Sequence, residues 1–395
     1  MSADAPLALP PHHLLTAFPE INVCAPMVRY SKLPFRALVA QYDTQITTTP
    51  MILASEFSRN QQARDADFST NAEERGVFTM QPDYGYMRKG DAPVRVRGAL
   101  VCQLAASTPA PLADAAELIS PFVDGVDLNC GCPQAWAYSE QIGSYLLRQP
   151  ETVRDMVRAI KGRLGDGYCV SVKIRVDSDL RNTDVLVRNA LHAGASMITV
   201  HGRTRHQPSA SHPVDLDAVK FAIDAANACG LHTARGTAPG DGWIFEDGGA
   251  GGIVPTVVNG DIWTKDDAQH WRAATGARGA MSARGLLANP VRASTYPGAL
   301  FRARKDPPGG RGRVCGKGHC DGPACGAVPV RFLAHPAGTL PTCSKRASPA
   351  GPSRSTLIRS RALRAFSTGC RNRGICPRTL RERTSSQRRL PPCLR

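Results

Sequence analysis

The chain has 395 residues, 42% of them hydrophobic and 21% charged, and a formal net charge of +16. That length and apolar content suit two or three average domains or one large α/β barrel with appendages, and exclude a miniprotein. The charge is uneven: residues 297–395 carry 21 Lys and Arg against Asp306, Asp321 and Glu382, a net of +18, which leaves 28 bases and 30 acids before them. A nucleic-acid inference from overall charge is therefore an inference about the last quarter of the chain.

Residues 1–20 form a Pro/Ala/His leader without periodicity, expected to be flexible. Short β-branched runs then alternate with helical patterns, the order of βα units and a parallel sheet. Eight strands are predicted, at Ile21–Ala25, Gln45–Thr49, Leu100–Ala105, Gly125–Asn129, Cys169–Arg175, Met197–His201, Ile253–Asn259 and Gly279–Ala283. Between them, Pro150–Ile160 opens on a proline and sets Val153, Met156, Val157 and Ile160 on one face, and Asp184–Ala193 and Asp215–Ala228 repeat the pattern. Eight strands over residues 21–290 predict a (β/α)₈ TIM barrel, a fold of typically ~250 residues. An open dinucleotide-binding sheet would carry a glycine fingerprint after its first strand, where Cys24-Ala25-Pro26-Met27-Val28 stands instead.

Residues 229–252 read as a Gly/Asp/Ala-rich loop insertion, and residues 82–99 as a smaller excursion. The segment 291–395 is rich in Arg, Pro, Gly and Cys; it is expected to be a disordered tail, or aberrant sequence resembling a wrong reading frame. Its Cys315, His319, Cys320 and Cys325 lack a second paired knuckle, so no metal site is assigned. No run approaches the roughly 18 apolar residues of a membrane span. Thirteen cysteines, the six before residue 296 without framework spacing, and no secretory signal predict a cytoplasmic location, with the nucleus and the mitochondrion as alternatives, and no membrane partner.

In such barrels chemistry sits at the carboxyl ends of the strands. Collected there are Pro26 and Met27, Gln103, Asn129 with Cys130-Gly131-Cys132-Pro133, Lys173 and Arg175, His201-Gly202-Arg203-Thr204, Asn259-Gly260-Asp261, and Ala283-Arg284-Gly285. Singly, each has an ordinary structural explanation: a snorkelling lysine, an inert cysteine, a turn. Their convergence on one end of one barrel does not. The last two groups suit a phosphate cradle, with Arg284 available to the phosphate. Lys173 would stabilise an anionic ring edge, and Gln103 offers that edge a donor and an acceptor. Cys132 is placed to reach over the ring as a proton donor. Together these residues fit FMN.

Ala25-Pro26-Met27, Gln103-Leu104, Asn129-Cys130-Gly131-Cys132-Pro133-Gln134, Lys173-Ile174-Arg175, Thr199 to Thr204, Asn259-Gly260-Asp261 and Ala283-Arg284-Gly285 resemble, in order, the motifs of the tRNA-dihydrouridine synthases. The Asn-Cys-Gly-Cys-Pro-Gln form and Gly285 to Pro290 are most similar to the fourth eukaryotic subfamily. The resemblance implies that Pro26, Met27, Val28, Gln103, Lys173, His201, Asn259, Gly260, Asp261, Ala283 and Arg284 hold FMN. It implies that Cys132 protonates C5 of uracil while reduced flavin gives hydride to C6, that NADPH or NADH recharges the flavin, and that tRNA is the partner. Asn129, Arg175 and Arg203 are expected on the substrate side, and Cys130 is expected to be structural. Family members follow the barrel with a helical domain that grips tRNA, which residues 291–395 do not resemble, so flavin chemistry is better supported than tRNA capture.

Two alternatives stay open. A free-pyrimidine oxidoreductase of the dihydroorotate type uses a similar barrel and flavin, and would act on free pyrimidines. A non-catalytic RNA-binding protein on a decayed barrel would be colourless and still bind RNA.

Overall fold

The protein is described by a computed structural model covering residues 5–81, 93–229 and 254–290. The expectations for the tail, for its cysteine–histidine cluster and for the 229–252 insertion beyond Cys229 fall outside the described residues.

Eight parallel strands close into a barrel: β1 (Ile21–Cys24), β2 (Ile46–Thr48), β3 (Ala99–Ala105), β4 (Gly125–Cys130), β5 (Val170–Arg175), β6 (Met197–His201), β7 (Thr256–Asn259) and β8 (Gly279–Ser282). The ring is complete because β8 returns to β1, with Met281 opposite Val23, and β2 pairs with β3, with Thr47 opposite Leu100. Each strand coincides with a predicted run to within three residues, and the (β/α)₈ expectation holds. Parallel strands covered on both faces read as near-continuous apolar runs, which is why they were legible.

Side chains alternate across each strand. Leu100, Cys102 and Leu104 join the outer core beneath the helices, whereas Ala99 and Val101 belong to an inner cluster with Val23, Met197, Val257 and Met281. Farther along the strands the buried residues become polar: Gln103, Asp127, Asn129, Ser171, Thr199 and Asn259. The barrel is thus apolar at one end and polar at the other.

The surrounding helices follow from their ends and faces. Pro150–Leu164 starts with proline, buries Val153, Met156, Val157 and Ile160, and stops at Gly165, whose φ of 85° suits glycine. Lys265–Thr275 opens on a reciprocal capping box between Thr264 and Asp267 and ends at left-handed Gly276.

The flexible-leader expectation is corrected. Pro11–Ala17 is a helix, and Leu14, Leu15 and Phe18 are fully buried in the inner cluster, where they seal the amino-terminal end of the barrel. Burying each such side chain stabilises by about 1.5–3 kcal/mol, enough to order a segment too short to be helical alone. Arg278, one residue before β8, donates to Leu15 O at 3.1 Å and Thr16 O at 3.0 Å. A second sheet, also absent from the expectations, pairs Leu7–Ala8 with Val94–Arg97 and the latter antiparallel with Val77–Met80. Among the described residues no helix is long and apolar enough to cross a membrane.

Candidate active site

The carboxyl ends of β5 to β8 enclose a cleft of about 570 Å³, lined by Arg175, His201, Arg203, Asn259, Gly260, Asp261, Ala283 and Arg284 among others. All eight were singled out from the sequence. Cleft-lining Arg205 and His206 were not, although they directly follow the recognised His201-to-Thr204 element. Arg205 stacks its guanidinium 3.5 Å from the centre of the Tyr138 ring.

Cations crowd this cleft. Lys173 does not itself line the cleft but reaches its wall from β5, where Nζ donates to Asn259 Oδ1 at 2.9 Å. Burial, with Arg175 beside it, pushes its pKa down to about 8. Burial and the nearby Arg203 likewise lower Arg175 to about 10. His201 is held neutral by burial and by Lys173, Arg175, Arg203 and Arg284 around it. Among these lining side chains the one carboxylate is Asp261, shared between Arg203 and Arg284, the latter at 2.7 Å. Arg203 is 1% exposed and also donates to His212 O at 2.8 Å, so it acts as wall. Arg284 is half exposed, paired with Asp261 and set 5.0 Å from the centre of the Trp263 ring. Lys173 and Arg175, each lowered by burial and by a neighbouring cation, make the mouth of the barrel attractive to an anion.

Glycine is required where the loops approach. A Cβ on Gly260, whose φ is 120°, would lie 3.1 Å from the His201 ring and 2.6 Å from Val214. On Gly285 it would lie 2.4 Å from Ile262 O.

On the rim opposite β7 and β8, the loop after β4 carries Cys132, and adjacent Pro133 lines the cleft. Asn129 Oδ1 accepts the backbone N–H groups of Gly131 at 3.0 Å and Cys132 at 2.9 Å. From the other side Ser144 N–H donates to Cys132 O at 3.0 Å. Gly143, φ 64°, has its Cα so close that a Cβ would sit 2.8 Å from Cys132 Cβ. Arg175 Nε donates to Gly131 O at 2.8 Å, tying this loop to β5. Cys132 is partly exposed; Cys130 is fully buried, and burial pushes its thiol pKa up. The two cysteines are therefore unlike in access.

Gln103 lies deeper, 1% exposed, its amide engaged on both sides: Nε2 donates to Asp127 at 2.7 Å and Oε1 accepts from Asn129 at 2.8 Å. Asp127 escaped the sequence reading because only strand ends were collected; its place two residues before Asn129, on the same inward face, was the available signal. Pro26 and Met27 are half-buried beside β8, where Ala25 N–H donates to Ser282 O at 2.9 Å, and Val28 is 58% exposed. Met27 N–H is held by Ser31 Oγ at 2.9 Å, and Ser31 O by buried Arg36 at 2.8 Å.

The profile of the dihydrouridine synthase family matches residues 23–229 and 250–308. A tRNA-dihydrouridine(20a/20b) synthase-like protein of Mus musculus is 39% identical over 280 residues, 70% of this chain and 70% of that one. The tRNA-dihydrouridine(20a/20b) synthase of Schizosaccharomyces pombe, which carries NAD(P)+ in its name, is 39% identical over 73% of this chain and 71% of its own. A tRNA-dihydrouridine(16/17) synthase of Saccharomyces cerevisiae shares 28% identity over 68% of this chain and 53% of its own. The chain belongs to the dihydrouridine synthase family. It is more similar to these 20a/20b relatives than to this 16/17 relative.

Proposed function

We propose that this protein is an FMN-dependent tRNA-dihydrouridine synthase that reduces D-loop uridines of tRNA, using NADPH or NADH as electron donor. The reading is supported above all by the juxtaposition of a cationic cleft with a thiol-bearing loop on its rim.

FMN suits the donor set. Arg284, the Gly260 and Gly285 backbones and Ala283 would hold the phosphate end, and Lys173 the anionic edge of the ring. Pro26, Met27 and Val28 would complete the wall beside β1. FMN held there in its reduced form would supply hydride chemistry at C6 of uracil. Cys132 supplies the proton: its Sγ–H bond breaks as a C5–H bond forms, and the thiolate regains a proton from solvent. Neighbouring Arg175 steadies the thiolate left behind. His201, neutral throughout the working range, contributes packing and hydrogen bonding and holds no charge. Arg203 and Asn129 keep the walls of the substrate side in place.

The test is direct. Purified protein should show flavin absorbance or acquire it with FMN, and with NADPH and unmodified tRNA should form dihydrouridine detectable by mass spectrometry. Absence of product from FMN-loaded protein would reject the reading. Turnover of free orotate or uracil without tRNA would favour a free-pyrimidine oxidoreductase instead.

A further inference from the structure

Above its apolar plug the barrel interior contains a carboxylate that the reaction just outlined leaves unused. Asp127, 4% exposed, lies opposite Gln103 on β3 and Ser171 on β5. Its Oδ2 accepts from Gln103 Nε2 at 2.7 Å and its Oδ1 from Ser171 Oγ. Gln103 Oε1 accepts from Asn129 Nδ2 at 2.8 Å, and Asn129 Oδ1 accepts the Gly131 and Cys132 N–H groups.

Both ends of this chain dictate its polarity. Backbone N–H groups only donate, so Asn129 must turn its oxygen to the Cys132 loop and its NH₂ to Gln103. Gln103 must then offer oxygen to Asn129, which leaves its NH₂ for Asp127. An ionised carboxylate only accepts, so it fits this end without ambiguity. A donor in its place would favour the flipped amides and bring Asn129 NH₂ against two N–H groups.

We propose that Asp127 is a positioning residue for the proton donor: by accepting from Gln103 it fixes two buried amides in series and so holds the Cys132 loop at the rim of the cleft. The proposal rests on the reading of Cys132 as the acid. Asp127 makes no direct ion pair with Lys173, whose ammonium is bonded to Asn259. The two nevertheless feel each other's charge, so Asp127 can act by accepting a hydrogen bond or by its charge, and the positioning is assigned to the first.

Asp127→Asn and Asp127→Ala separate the two. In Asp127→Asn the new carboxamide can keep its oxygen toward Gln103 and turn its NH₂ to Ser171 Oγ, so the chain persists without the charge. In Asp127→Ala the chain ends at Gln103. The holoprotein should be followed by backbone hydrogen exchange over residues 129–134, by NADPH oxidation without tRNA, and by single-turnover dihydrouridine formation. Asp127→Ala should speed exchange at Gly131 and Cys132 and slow uridine reduction by about 100-fold, the scale of an ångström-sized misplacement, with flavin reduction nearly intact. Asp127→Asn should recover exchange protection and most of the rate. Equal defects in both variants would overturn the proposal in favour of a charge role, as would an Asp127→Ala protein with unchanged exchange. Should Asp127→Ala fail to fold, Gln103→Met cuts the same chain in the middle, and its exchange at Cys132 decides: faster supports the proposal, unchanged overturns it. Cys132→Ala run alongside keeps the premise distinct, since dihydrouridine formation by that variant would reject the acid assignment while exchange still reports on the chain.

Discussion

Lys173 Nζ donates to Asn259 Oδ1 at 2.9 Å, while Asn259 Nδ2 donates to Met281 O at 2.8 Å, so β8 fixes the amide that aims the ammonium of β5. The cation is held in place before any ligand arrives, which lowers the cost of binding an anion there.

That placement has a measurable cost. Lys173 has its pKa pushed down to about 8 from an ordinary 10.5. Between those values the unfolded chain holds a proton that the flavin-free folded protein has released, so this side chain makes the fold more stable as pH rises through the window and less stable below it. At pH 7 flavin-free Lys173→Met should therefore unfold at a higher temperature than wild type, with the advantage shrinking from pH 8 toward pH 10. The same variant should retain less FMN. A stability difference that does not change with pH would contradict the assignment.

Cys132→Ala should leave NADPH oxidation by bound flavin nearly intact and abolish dihydrouridine formation, because only the second half-reaction needs a proton at C5. Cys130→Ala should cost about 1 kcal/mol in a urea melt, as expected for a small buried void, and spare most of the activity. In native protein iodoacetamide should label Cys132 before Cys130. Comparable activity losses in the two variants would reject the division of roles.

Gly143→Ala should push on the Cys132 loop, since its Cβ would approach within 2.8 Å of Cys132 Cβ and 2.9 Å of Cys132 O in a backbone with φ of 64°. We expect a loss of about 1–3 kcal/mol from backbone strain. Uridine reduction should fall while flavin content stays constant; an unaltered single-turnover rate would show that the loop absorbs the methyl group without moving the thiol.

Arg36 and Glu74 form an ion pair at 2.5 Å, with side chains 2% and 0% exposed, and Arg36 also reaches Ser31 O, which lies beside Met27. Removing one partner leaves a buried charge alone, so Glu74→Ala should cost about 3–5 kcal/mol in a denaturant melt. Because the loop after β1 loses its anchor, flavin retention should drop as well. A melt within 1 kcal/mol of wild type, on the scale of about 0–1 kcal/mol for a surface pair, would show that the pair is hydrated in solution.

The strands and the cleft were legible because both obey rules that act locally: covered parallel strands are apolar throughout, and polar residues at their carboxyl ends stand out against that background. What escaped depends on distant partners. Pro11–Ala17 shows too few turns for a period, and its burial is imposed by the open end of the barrel. Val94–Arg97 alternates Val and Arg, a two-residue period within the segment read as an excursion. Asp127 and Gly143 are ordinary letters until Gln103 and Cys132 are brought against them. Gln103, expected at the ring edge, is engaged by Asp127 and Asn129, a relation set by neighbouring strands in space.

The plug formed by Leu14, Leu15 and Phe18 bears on how the chain is made. Leu15 O is bonded to Arg278, 263 residues later, and Gly279 leaves the space that Leu15 Cδ2 fills, 2.7 Å from where a Cβ would stand. These apolar side chains, made long before β8, have no complete seat until that strand has been synthesised and has paired with β1. Closure of so long a loop carries an entropic cost that earlier local contacts do not offset, which favours slow, late completion of the barrel. Shortening the chain to begin at Ile21 removes the plug and leaves the inner cluster of Ile21, Val23, Met197, Val257 and Met281 uncovered, so that protein should aggregate before any defect in chemistry can be measured.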